Sequence, residues 1–183
     1  VHIYTFHAFC NNLIQSNAEY FGIRDLQPIS DLERIEVLHG ILEELPEGHL
    51  LRRLKGNIYY DARNLHALFD LMKSEGWSPE QVTEAAEAYI ASLSQREAFI
   101  YKRANTKQGI KAGDLKQKDI DKETARMERT IASAQLFHRY QDRMMAMGRY
   151  DFSDMILWVL KAFKENENFL RNYQERFQYV LVD

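Results

Sequence analysis

Apolar residues recur at three- and four-residue spacing from Phe6 to Tyr173, and little interrupts them: 183 residues contain only 3 prolines and 8 glycines. That pattern commits the chain to long amphipathic helices rather than many short strands. The first helix carries Phe6, Phe9, Leu13 and Ile14 on one side and ends near Gly22. Ser30 opens the next, with Glu33 three residues on as its capping partner. Its predicted stripe is Leu32, Ile35, Leu38, Ile41, Leu42 and Leu45, stopped by Pro46. A helix through Leu65, Leu68, Phe69 and Met72 closes at Gly76, and Ser78-Pro79-Glu80-Gln81 starts another through Val82, Ala85, Ala86, Tyr89, Ile90 and Leu93. From Asp119 one long helix is predicted, with Met127, Ile131, Ala134, Phe137, Met144 and Met147 on its core side and Gly148 at its end. Asp151-Phe152-Ser153-Asp154 starts a further helix with Met155, Ile156, Val159, Leu160 and Phe163, followed by a short one with Phe169, Leu170 and Tyr173.

The two ends depart from this period toward strand, and residues 102 to 118 depart from it as a basic, loop-like stretch. Val1 to Thr5 alternates and is β-prone, and Gln178 to Asp183 is a short apolar run of the kind buried in a parallel sheet. Two lone strands do not make a stable sheet. The expected fold is therefore mainly α: a helical, bundle-like insertion carrying two short terminal β-strands that belong to a truncated parallel α/β sheet.

Composition narrows the class. With 45% apolar, 12% aromatic and 28% charged residues, the chain suits a soluble globular protein. No run of 18 apolar residues is present, so no membrane span is expected, and the start carries no signal-peptide core. Cys10 is the only cysteine, which excludes an internal disulfide and a cysteine zinc cage and points to a reducing, cytoplasmic setting. A net charge of −3 argues against coating nucleic acid by bulk charge but permits a local basic patch. Residues 102 to 118 supply one: Lys102, Arg103, Lys107, Lys111, Lys116 and Lys118 face a single carboxylate, Asp114, for a net of +5. That segment has almost no apolar anchors, so it reads as a flexible loop that is either solvated or a phosphate-contacting element.

Three short motifs carry possible chemistry. Thr5 stands where a strand runs into a helix; it is either a plain helix cap with His7 in the first turn, or a hydroxyl and N–H cluster facing a phosphate. Val180-Leu181-Val182-Asp183 is either a buried strand with a polar end or the strand that presents a carboxylate to Mg²⁺. Asp151 and Asp154 fit two first-turn acids favoured by the helix dipole better than a metal pair. The six histidines (His2, His7, His39, His49, His66, His138) have no zinc-like spacing, and no Ser-His-Asp arrangement or Gly-rich phosphate loop is present.

Taken in order, Thr5-Phe6-His7-Ala8, Tyr140, Asp151 through Met155, Tyr173-Gln174-Glu175-Arg176-Phe177 and Val180 through Asp183 resemble the UvrD/Rep/PcrA family of superfamily 1 DNA helicases. The resemblance implies that residues 1–20 are a strand and helix of motor domain 1A, residues 21–150 a helical 1B-like subdomain, and residues 151–183 the return to 1A ending in the Walker B strand. It implies that Thr5 and His7 lie on the single-stranded track; Lys102, Arg103, Lys107, Lys111 and Lys116 join them in the expected DNA-binding set on the charge of the basic segment, not on the resemblance. It makes Asp183 the Mg²⁺ ligand of the intact protein, with ATP and Mg²⁺ as cofactors and DNA and the remaining helicase domains as partners. The Walker A loop and the glutamate after Asp183 are not in this sequence, so the expected role is an accessory DNA-binding part of an ATP-dependent 3′→5′ helicase, inactive alone. The competing expectation is a standalone all-helical interaction module without nucleic-acid binding. A hydrolase built on Asp151 and Asp154 lacks further ligands.

Overall fold

The structure is a computed structural model that describes residues 2–22, 26–53, 56–104 and 109–182. It is mainly helical, as expected. In chain order the helices are α1 (Phe6–Ser16), α2 (Ala18–Phe21), α3 (Asp31–Glu43), α4 (Ala62–Glu75), α5 (Pro79–Ser92), α6 (Gln117–Ala134), α7 (Phe137–Ala146), α8 (Phe152–Glu165) and α9 (Glu167–Arg176). Two short strands, β1 (Gln27–Pro28) and β2 (Arg149–Tyr150), pair in parallel.

The chain forms two compact units. The first takes residues up to Arg34 and from Asp142 onward, and the second runs from Ile35 to Gln141. The chain passes between them inside α3 and again inside α7.

In the first unit, Cys10, Leu13 and Ile14 of α1 pack with Met155, Val159 and Ala162 of α8 and Phe169 of α9. Each set repeats at three or four residues, which places it on one helix face. Asn17 breaks α1 from α2 by bonding through its side chain to the Leu13 carbonyl (2.8 Å) and the Tyr173 hydroxyl (2.8 Å). Gly22 then ends α2 with φ 62°, a left-handed value that glycine adopts without strain.

Around the strands, both following helices are tightly capped. The Ser30 N–H donates to Glu33 Oε2 (2.9 Å) and the Glu33 N–H donates back to Ser30 Oγ (3.3 Å). Glu33 also accepts from Arg149 Nε at 2.8 Å. The Ser30 N–H, then the Ser30 hydroxyl and Arg149, hold the Glu33 carboxyl down from 4.5 to about 2. Its contribution to stability is thus present above the unfolded value and fades as pH falls toward 2.

The second unit buries Val37, Leu38, Ile41, Leu42 and Leu45, together with Leu65, Phe69 and Met72 of α4, Leu93, Ala132 and Ala134 of α6, and Leu136, Phe137 and Tyr140. Phe69 meets Phe137 edge-on at 5.5 Å and Tyr140 at 5.1 Å. The Ser78 and Gln81 capping pair and the left-handed Gly76 stand as expected.

Several expectations need correction. Among the described residues neither terminal segment is a strand: Ile3 is 91% exposed and Leu181 99%, and neither has a ladder partner, while Val1 and Asp183 lie outside the described residues. A β-prone run becomes a strand only when its N–H and C=O groups meet another strand's, and the parallel pairing here falls elsewhere, at β1 and β2. Leu32 and Ile35 are exposed and Val37 is buried instead, so the buried face of α3 runs through Val37, Leu38, Ile41 and Leu42, at helical spacing but one step round from the predicted stripe. Ala85, Met147 and Leu160 are likewise exposed. The expected single helix from Asp119 to Gly148 is two, α6 and α7. The Leu136 N–H bonds three residues back to Ser133 (3.1 Å), tightening the turn, and Leu136 and Phe137 go into the core.

Candidate nucleic-acid interface

Thr5 caps α1. Its Oγ1 accepts from the Ala8 N–H at 3.1 Å, with extended backbone at φ −74° and ψ 161°. The capping reading of Thr5 therefore holds at the level of hydrogen bonding. It does not exhaust the residue, because an accepting hydroxyl keeps its own O–H to donate. In the same turn the N–H groups of Phe6 and His7 have no intrahelical acceptor. Phe6, His7 and Thr5 are all exposed.

α8 begins beside this turn. Asp151 Oδ1 accepts from the Asp154 N–H (3.0 Å) and Asp154 Oδ2 from the Asp151 N–H (2.9 Å), and both residues are buried. Both carboxylates thus serve the capping box, in line with the structural reading. The box holds Phe152 at the first helical position, 59% exposed, with its ring edge-on to the His7 ring at 6.0 Å and 81°. An exposed phenylalanine beside a histidine and two free helix N–H groups pairs an aromatic face with an anion-accepting turn. Sequence reading places Phe152 in a helix-capping segment and in a family-like motif but does not single it out as a site residue. Its hydrophobicity at a position that a capping box turns outward was the available signal.

The basic segment is a second set, in the second unit. Its base is a paired ribbon: Ile100 bridges Leu115 antiparallel, the Tyr101 N–H donates to the Asp114 carbonyl (2.9 Å), and the Lys116 N–H donates to the Phe99 carbonyl (2.8 Å). Lys116 Nζ donates to the Ala98 carbonyl (2.8 Å) and lies 5.8 Å from the Tyr101 ring. Lys102 Nζ is 3.3 Å from Glu97, and the Lys111 N–H bonds Asp114 Oδ2 (2.6 Å). Lys102, Arg103 and Lys111 are exposed, whereas Lys116 is half-buried. Lys107 and Asp183 lie outside the described residues.

For ATP and Mg²⁺, the described residues offer no cradle. No Gly-rich phosphate loop occurs in the sequence, and among the described residues no three His, Cys, Asp or Glu side chains gather as a metal set. Nucleotide chemistry is not assigned to these side chains. Among the described residues, no helix is long and apolar enough to cross a membrane.

A sequence model of the UvrD/REP helicase N-terminal domain matches residues 1–183, the whole length. The chain belongs to this family. It is 21% identical to the ATP-dependent DNA helicase PcrA of Bacillus subtilis over 182 residues, 99% of this chain and 18% of the relative. It is 20% identical over 181 residues to a probable DNA helicase II homolog of Mycoplasma capricolum, covering 99% of this chain and 19% of the relative. A shorter stretch of 69 residues, 38% of the chain, is 33% identical to DNA helicase II of Haemophilus influenzae, covering 9% of that relative. This UvrD/REP-family chain thus spans about a fifth or less of the length of these curated relatives. An interaction module with no nucleic-acid role is not favoured by the match.

Proposed function

We propose that this chain is the DNA-contacting part of an ATP-dependent 3′→5′ DNA helicase. Residues 1–20 and 151–183 belong to its first motor domain, and residues 21–150 form an inserted 1B-like subdomain. The observation that carries the reading is the exposed turn where Thr5, His7 and Phe152 meet, in a chain whose whole length matches the family. A backbone phosphate of single-stranded DNA sits at the start of α1, taking hydrogen bonds from the Phe6 and His7 N–H groups and the Thr5 hydroxyl. The adjoining base lies on Phe152. Stacking tolerates every base, as a translocating enzyme requires. Lys102, Arg103, Lys107, Lys111 and Lys116 add a salt-sensitive contact to phosphates, and Asp183 holds Mg²⁺ with ATP in the intact protein.

The test is anisotropy of a labelled oligothymidine at low salt. Phe152→Ala is expected to weaken binding roughly ten- to a hundredfold, matching about 1–3 kcal/mol per stacked base. Wild-type affinity in that variant would remove Phe152 from the site, and no binding by the unaltered chain at low salt would end the DNA reading. Reversing charge at Lys102 and Lys111 should flatten the dependence of log K on log salt, by about 0.7 per lost phosphate contact on a single strand. An unchanged slope would take the basic segment out of the account.

Hydrolysis of ATP needs several positioned groups at once, and this sequence has no Gly-rich phosphate loop. The purified chain is therefore expected to show no Mg²⁺-dependent ATP turnover. Turnover that co-purifies with the chain through successive columns would contradict this.

A further inference from the structure

The two strands stand at a particular place in the chain. β1 precedes α3, through which the chain enters the second unit, and β2 follows α7, through which it returns. They pair Gln27 with Arg149 and Pro28 with Tyr150. The Gln27 N–H donates to the Gly148 carbonyl at 3.0 Å, and the Ile29 N–H donates to the Tyr150 carbonyl at 2.8 Å. Alternate N–H groups of a strand face its partner, so Pro28, which has none, falls on the side where none is needed. Two residues on each side is far below the length at which a pair of strands persists by itself. Something beyond the ladder must hold it.

We propose that the Glu33–Arg149 ion pair is a latch that closes this ladder and ties the outgoing and returning connections together, opening separately from either core. Arg149 is a ladder residue of β2. Glu33 sits in the first turn of α3, anchored by three contacts to Ser30, the residue that joins β1 to that helix. The pair therefore spans the two connections from a fixed point on each. Its Nε–Oε1 separation is 2.8 Å, and both side chains are 26% exposed, open enough to be released without unfolding a core. A charge-assisted hydrogen bond in this setting is about twice as strong as a neutral one, whereas the ladder supplies only short-range backbone bonds. Ile29, next to β1, is buried and keeps the closed register from slipping.

Native-state hydrogen exchange on the chain tests the latch. In Arg149→Ala, the amides of Gln27 and Ile29 should lose protection by about tenfold or more, while α1 and α8 amides such as Leu13 and Val159 keep theirs. Glu33→Gln retains a glutamine-competent capping box but loses the charge, so it should produce a smaller loss at the same two amides. Unchanged protection at Gln27 and Ile29 in both variants would overturn the proposal, because the ladder would then be held by packing alone. Protection lost evenly across the helices in both variants would overturn it too, since the pair would be a general stabiliser and not a latch.

Discussion

Phe69→Ala is expected to cost the second unit about 3–5 kcal/mol, the range for removing a large aromatic side chain from a closed core. Phe69 is 1% exposed and sits on the buried stripe of α4 between Leu65 and Met72, both fully enclosed. Its ring touches Phe137 and Tyr140 of α7, so one side chain joins two helices far apart in sequence. Tyr140 is itself 1% exposed and lies 5.3 Å from the Lys73 ammonium, which limits how far the surroundings can collapse into the space left. A domain's whole stability is only about 5–15 kcal/mol, so this loss should be visible as a large drop in urea midpoint. Hydrogen exchange should accelerate at α4 and α7 amides. Phe69→Leu keeps most of the volume and should cost much less. Equal stability of the alanine variant and the parent would mean that Phe69 is not a core anchor.

The second large effect is expected from Arg129→Ala, at about 2–4 kcal/mol. Asp61 precedes α4 and is 5% exposed, yet its side chain makes no capping bond. It accepts instead from Arg129 Nη2 at 2.7 Å and from Arg53 Nε at 3.4 Å. Arg129 Nη1 also reaches the Leu50 carbonyl at 3.2 Å, so one guanidinium of α6 ties down two points of the segment before α4. Leaving a fully buried charge with no partner costs about 3–5 kcal/mol; here Arg53, the longer contact at 3.4 Å, still faces Asp61 and offsets part of that. Arg129 is 37% exposed, so water reaches part of the gap and the loss is scaled down. Adding Asp61→Asn to Arg129→Ala removes the under-compensated charge and should recover part of the loss in a double-mutant cycle. Strictly additive losses would show that the two residues do not act on each other.

The cap and stripe signals of the helices were legible because they are local. Ser30 with Glu33, Ser78 with Gln81 and Asp151 with Asp154 each satisfy helix-end N–H groups within four residues of chain, so sequence spacing suffices to find them. The α1 and α8 faces were equally readable, since their apolar period is set by helix geometry. The order of short motifs was enough to point to the UvrD/REP family, and Thr5 and His7 were named from that order. What failed was anything depending on a partner distant in sequence. Among the described residues, strand-like composition at Ile3 and Leu181 met no ladder, whereas Gln27-Pro28, unremarkable by propensity, became a strand because Arg149-Tyr150 lies beside it.

The same division separates what sequence alone determined about this protein from what tertiary structure decided. Helical class, helix starts, family and the capping role of Thr5 follow from interactions that span at most a turn or from the linear order of motifs. The break between α6 and α7, the exposed side of α3, the Asp61–Arg129 pair and the Glu33–Arg149 latch join residues that spacing cannot relate. So does the meeting of His7 with Phe152, 145 positions apart in the numbering, which turns two ordinary helix starts into one exposed aromatic and N–H surface. Hydrogen-bonding rules act within a turn, but burial and charge pairing depend on which surfaces the folded chain brings face to face.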